Sequence, residues 1–223
     1  WWLGLNHNRL AIIDLNPRGQ QPMFEAEAGL AIVYNGEIYN YLELRQELEG
    51  LGETFTTQTD TEVVLKSFKR WGIEPSLHRF IGMWALALFD SRTQRLTLIR
   101  DRFGVKPLYY HQDGRGPFIF ASEIKAILQS VPYRFTPNPD VIFRYASQSF
   151  LESDPQATFF TGIHKVPAGH YLEVDLADGA LRPRIKRYYD LNERLDGSLG
   201  DLPVTKLAEN LRELLADSVR LRL

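Results

Sequence analysis

Cysteine is absent from the 223 residues, which excludes disulfides, thiolate metal sites and a thiol nucleophile among them. Histidine is sparse. His7, His78, His111, His164 and His170 show no HExxH-type spacing that would set two ligands on one helical face, and no metal site is expected. No apolar run approaches the roughly 18 residues of a membrane-spanning helix, and no charged-then-apolar leader is present. No membrane partner is therefore expected, and the cytoplasm is the expected location. A basic excess is missing too: the formal charge is −2 and the pI about 6.3, which gives no electrostatic footprint for nucleic acid or an anionic surface. Internal repeats and low-complexity tracts are also lacking.

What is present suits a globular chain. With 44% hydrophobic residues, its length allows one large domain, or a domain plus an appendage, with a substantial core. Residues 3–13 (LGLNHNRLAII) mix alternation with an apolar finish and read as a strand, followed by the turn-rich Asn16-Pro17-Arg18-Gly19. A strand is expected from Leu30 to Tyr34. A helix follows from Tyr41 to Glu49, capped by Asn40 and stopped by Gly50 and Gly52, and a second runs from Thr59 to Trp71 behind a Thr59/Glu62 capping box. Strands are expected at 81–89, 95–100, 108–111 and 118–121, joined by turns, then a helix opened by Ser122, a short helix after Pro139 and a strand at 170–176. From Pro203 onward, Val204, Leu207, Leu211, Leu214, Leu215 and Val219 form one apolar stripe at helical spacing. Antiparallel strands with helices packed outside them predict a layered α+β domain, with the C-terminal third as a bridge to a further domain. The chain opens on Trp1-Trp2-Leu3 without an initiator Met and closes inside an amphipathic stretch, so both ends read as cut from something larger.

The stretch VYNGEIYN (33–40) is harder to place. Asn-Gly after an apolar run signals a hairpin turn with positive φ, yet helical spacing follows where the partner strand should be. Arg9, Asn35-Gly36-Glu37 and Asp60 then stand at the ends of otherwise apolar elements. One guanidinium and two carboxylates suit a free amino acid, because Arg grips an α-carboxylate bidentately while acidic groups receive the α-ammonium. A side-chain amide beside a backbone N–H is the material of an oxyanion hole. Plainer readings stand beside these: Arg9 as a surface or ion-pair residue, Asp60 as a helix cap, Asn35-Gly36 as an ordinary turn. Arg100, Asp101 and Lys106 read as an ion-paired hairpin rather than residues on a product route, and Glu123 and Lys125 likewise as structural charges.

At these positions the chain resembles a known family. HNRLAIIDLNPRGQQPM (7–23), YNGEIYN (34–40), TQTDTEVVL (57–65), GMWALALFD (82–90), RDRFGVKPLYY (100–110) and ASEIKAIL (121–128) are similar, in order, to the glutamine amidotransferase domain of glutamine-hydrolysing asparagine synthetases. IHKVPAGHYLEVD (163–175) and RYYDL (187–191) resemble the passage leading out of that domain. The resemblance implies an N-terminal-nucleophile hydrolase fold, a four-layer αββα sandwich of two antiparallel sheets. It implies an amidotransferase domain over residues 1–190, incomplete at its N-terminus, and a linker with a first helix over 191–223 leading to a synthetase domain. Glutamine would be hydrolysed to glutamate and ammonia, and the ammonia used to amidate aspartate. No cofactor is expected in this chain; ATP and Mg2+ would belong to the synthetase domain, and a homodimer stays open. Carried over, Arg9 would hold the glutamine α-carboxylate, with Ile12 and Ile13 lining the pocket. Glu37 and Asp60 would receive the α-ammonium, and Asn35 and Gly36 would supply oxyanion donors.

One departure bears on chemistry. The family's nucleophile is a cysteine at the mature N-terminus whose own amine serves as base, and Trp1 can be neither. The expectation is that the chain begins after the nucleophile segment and is inactive alone. The competing reading is a degenerate relative that keeps the fold as a binding or scaffold module, as in β-lactam synthetases, and never hydrolyses glutamine.

Overall fold

The computed structural model describes residues 2–10, 13–114, 116–148, 154–177, 179, 181–195, 197, 200 and 202–222. Its main sheet has six antiparallel strands in the order β1 (Met23–Glu25), β2 (Leu30–Ile38), β3 (Gly82–Asp90), β4 (Arg95–Arg100), β8 (His170–Asp175) and β9 (Arg184–Arg187). A second sheet has the order β6 (Ile119–Ala121), β5 (Tyr109–His111) and β7 (Ile163–Lys165). Helices α1 (Tyr41–Gly50), α2 (Asp60–Trp71) and α3 (Ile73–Arg79) separate β2 from its neighbour β3, and α4 (Ile124–Gln129) follows β6.

Strand alternation builds two cores. Ile32, Tyr34, Trp84, Leu86, Leu88, Ile99 and Tyr171 point to one face of the main sheet, where they pack with Leu44, Leu48, Val63, Val64, Phe68 and Leu77 of the helices. The residues between them, Val33, Ala85, Ala87, Leu96, Leu98, Leu172 and Val174, point to the other face and meet Tyr110 of the second sheet and Val166, which follows β7. Small alanines on β3 let the two sheets approach, while Trp84 fills the helix side edge-on to Phe80 at 5.7 Å between centroids. With α4 packed on β5 and β6, the order is helix, sheet, sheet, helix, the four-layer α+β arrangement expected.

Several local readings change. Residues 2–10 alternate between exposed and half-buried, and Leu3 and Leu5 touch the inter-sheet core, but the segment forms no strand; alternation reports a half-buried surface, and a strand needs a ladder neighbour as well. The Asn-Gly stretch is not a turn. β2 runs straight through it, pairing Asn35 with Ala85, Gly36 with Trp84 and Glu37 with Met83, and neither Asn35 nor Gly36 has positive φ. Asn40 does not cap α1 through its side chain; its amide donates to Arg79 O at 3.0 Å and accepts from Ile81 N at 2.9 Å, which pins the entry to β3. The capping box at α2 is half made: Thr59 accepts from Glu62 N, but the Glu62 carboxylate turns to Thr56 N and Thr57 N.

The C-terminal third is more than a bridge, because β8 lies between β4 and β9 inside the main sheet. Asp178, in the connection from β8 to β9, lies outside the described residues. Outside the sheets, α5 (Pro139–Gln148) in the middle of the chain and α6 (Val204–Arg220) at its end bury no residue fully, and Val204, Leu211, Leu214, Leu215 and Val219 of the apolar stripe are exposed.

Candidate active site

A cavity of about 410 Å3 opens where the end of β2 meets the start of α2, and Arg9, Ile13, Asn35, Gly36, Glu37 and Asp60 all line it. Ile12 lies outside the described residues. Four separate segments therefore converge on one space: the extended N-terminal stretch, the segment entering a short 3-10 turn at Pro17–Gly19, β2 and the N-terminus of α2.

Arg9 is held by backbone. Its Nη1 donates to Asn16 O at 3.1 Å and Nη2 donates to Asp14 O, while the Asp14 carboxylate accepts from Asn16 N and from Gln58 N at 2.9 Å. These backbone bonds hold Asp14 below the ordinary carboxylate range. The loop thus ties Arg9 to the approach to α2. No salt bridge to Arg9 occurs among the described residues, and a guanidinium with five N–H groups keeps donors for a further acceptor. Gly19 leaves the space for it: a Cβ there would stand 2.6 Å from Arg9 Nη2 and 2.8 Å from Thr59 Cγ2.

Asp60, the first residue of α2, is buried. Its Oδ2 accepts from the Tyr34 hydroxyl at 2.8 Å and from Ile38 N at 3.1 Å. Burial pushes the carboxyl above its ordinary value; these bonds and the Thr61 N–H oppose that, and the nearby Glu37 charge adds to it. Burial, and then the Asp60 charge, raise the Tyr34 hydroxyl well above its ordinary value, so Tyr34 is a fixed donor. Two acidic groups in one cavity, one of them desolvated, favour an incoming cation.

The β2 edge explains how Gly36 is presented. Tyr39 N donates to Ile81 O on the β3 side, so even-numbered N–H groups of β2 point the other way. The Tyr34 N–H goes to Gln21 Oε1 at 2.5 Å and the Ile38 N–H to Asp60. The Gly36 N–H lies between them on the same side, at the cavity. Gln21 also donates from Nε2 to Tyr34 O at 3.2 Å, so its carboxamide stands in for a strand neighbour just before β1 begins. Glycine is needed at 36 for close approach, since a Cβ would collide with Met83 O and lie 2.7 Å from Trp84 Cα. Asn35 shares the face of Val33, toward the second sheet, and its Nδ2 donates to Ser122 Oγ at 3.3 Å.

Gln21, Tyr34, Lys106, Ser122, Glu123 and His7 also line the cavity and were not singled out for it from the sequence; each sits inside or beside a motif block, but only the fold aims them. Burial holds the His7 ring below the ordinary histidine value. In the 100–106 loop, Asp101 accepts from Trp84 N, Phe103 N, Val105 N and Lys106 N, and Arg100 donates to Gly104 O, Lys106 O and Val166 O. These backbone bonds carry the structural reading of Arg100 and Asp101, while Lys106 of the same loop lines the cavity. Glu123 and Lys125 pair with each other at 2.5 Å. Among the described residues no group of three His, Asp or Glu could hold a metal ion, and no helix is long and apolar enough to cross a membrane.

The family described as glutamine amidotransferase domain matches residues 2–189. An asparagine synthetase (glutamine-hydrolysing) of Bacillus subtilis is 35% identical over 222 residues, covering 97% of this chain and 29% of that protein. The amidase chry2 of Gibberella zeae is 35% identical over 224 residues, covering 99% of this chain and 31% of its own. Across such curated relatives the chain spans from 29% to 44% of their length. In fold it is similar to the glutamine phosphoribosylpyrophosphate amidotransferase of Bacillus subtilis, with a TM-score of 0.57 at 23% identity over 82% of this chain and 34% of that one.

Proposed function

Because the chain belongs to the glutamine amidotransferase domain family, we propose that the cavity binds glutamine and is the hydrolytic half of an asparagine synthetase. Arg9 takes the α-carboxylate, Glu37 and Asp60 take the α-ammonium, and Ile13 flanks the side chain. The carboxamide then reaches the Asn35 amide and the Gly36 N–H, which receive the oxyanion that forms when its carbonyl is attacked. The observation that carries this reading is the convergence of one guanidinium, two carboxylates and two N–H donors on one cavity.

This reading requires a thiol that is not among these 223 residues, and on it the 223 residues alone give no turnover. Ammonia released here amidates aspartate in a synthetase portion, where ATP and Mg2+ belong. The complete protein is tested by glutamate release from glutamine, with asparagine formation from aspartate and ATP as the second readout. Glutamate release that survives loss of both Asp60 and Arg9 would overturn the site. Ammonia delivered to a carboxylate other than aspartate would overturn the acceptor alone.

A further inference from the structure

Asn35 can act as an oxyanion donor only if its amide is held in one plane, and we infer that Ser122 is the residue that holds it, a positioning residue for glutamine hydrolysis. This rests on the function proposed above. The Asn χ2 torsion is broad and roughly two-fold, so the amide has little orientation of its own. Backbone pairing of Asn35 with Ala85 fixes where the side chain starts and leaves where its N–H groups point open. The bond from Asn35 Nδ2 to Ser122 Oγ at 3.3 Å closes that freedom. One N–H is engaged, and the second lies in the same amide plane, free for the substrate oxygen.

The position of Ser122 supports this. It follows β6 of the second sheet, while Asn35 stands on β2 of the main sheet, so the bond spans the sheet interface and its geometry is set by two rigid layers. Ser122 is also free for the task. Its place before a helix marks it as a cap, but α4 begins at Ile124 with Glu123 at its N-cap position, and the Ser122 hydroxyl faces the cavity edge with Asn35 instead.

Oxyanion donors act on the reacting state more than on bound substrate, so misorientation appears in kcat. Losing such a donor costs roughly 100- to 1000-fold; loosening one should cost less, about tenfold in kcat for Ser122→Ala in the complete protein, with KM for glutamine within about twofold. Ser122→Thr keeps the hydroxyl and restores kcat; Ser122→Cys, a weaker acceptor, falls between. In the Asn35→Ala background, Ser122→Ala adds nothing further. An unchanged kcat in Ser122→Ala, a loss confined to KM, or a full further loss on top of Asn35→Ala would overturn the proposal. If Ser122→Ala unfolds, the Thr and Cys variants decide it, because equal kcat in both refutes a hydroxyl role. Asn35→Ala run alongside separates the two levels: full activity there removes the oxyanion assignment itself, whereas an inactive Asn35→Ala with a normal Ser122→Ala removes only the positioning role.

Discussion

Replacing Asp60 by Asn separates what the residue does for the fold from what it does for the ligand. Asn has nearly the same shape, and its carbonyl oxygen can take the place of Oδ2 and keep the bonds from the Tyr34 hydroxyl and Ile38 N. The other oxygen becomes an NH2, which donates where an ammonium must be received. A hydrogen bond to a charged partner contributes about 1.5–3 kcal/mol, and each 1.4 kcal/mol is tenfold in affinity, so the bracket is about 10- to 150-fold; with Glu37 still in place the lower end is expected. KM for glutamine should therefore rise about tenfold. Stability should move the opposite way with pH. Burial raises the folded-state pKa of Asp60 above its unfolded value, so its contribution is fully present below about pH 3.8 and is lost as pH rises through the folded pKa. The difference in melting temperature between Asp60→Asn and the parent should grow in favour of the variant over that rise and then level off. A KM within twofold of the parent would refute the ammonium assignment, and a stability difference independent of pH would refute the burial argument.

Three further outcomes are expected. Gly36→Ala forces a Cβ against Met83 O and Trp84 Cα and should cost at least the ~1–3 kcal/mol of an overpacked core, read as a lower urea midpoint; a neutral result would mean that β2 and β3 are not this close. Gly19→Ala displaces the Arg9 guanidinium and should raise KM for glutamine severalfold with kcat nearly intact, an expectation that a selective fall in kcat would contradict. His7 has its pKa lowered by burial, so its contribution is complete above about pH 6.5 and is lost as pH falls; stability compared with His7→Gln should decline from pH 7 toward 5, and a parallel pair of pH profiles would exclude this.

Element types were readable wherever a pattern is local. α2 is marked by Thr59 and by Val63, Val64 and Phe68 on one face, and it lies as expected at Asp60–Trp71; β4 lies at Arg95–Arg100 as expected. What failed was long-range. Asn35-Gly36 has turn chemistry, and only β3, whose Ala85 and Trp84 lie about 50 residues later, makes it strand by pairing with it. The alternation of residues 2–10 is visible in sequence and in burial, but a ladder partner is a property of the whole fold. Candidate site residues that carry charge, Arg9, Glu37 and Asp60, stand out against apolar neighbours and were found. Gln21 and Ser122 are uncharged and ordinary in composition, and their roles lie in bonds to Tyr34 and Asn35 from distant parts of the chain.

The placement of these supports makes the two ends of the cavity separable. Arg9, Asp14, Gly19 and the start of α2 are linked through a loop and its backbone carbonyls, a support that holds charge near the ligand and tolerates small shifts, because Coulombic attraction varies slowly with distance. Asn35 and Gly36 sit inside a paired strand and are braced by Gln21 on the β2 edge and by Ser122 across the sheets. Hydrogen-bond donors weaken steeply with angle, so the reacting end requires the rigid element and the binding end does not. Substitutions on the loop side, and of the ammonium-binding Glu37 at the end of β2, should then move KM, and those of Asn35, Gly36 and their braces kcat. A variant of Gln21 or Ser122 that altered only glutamine affinity would show that the division is wrong.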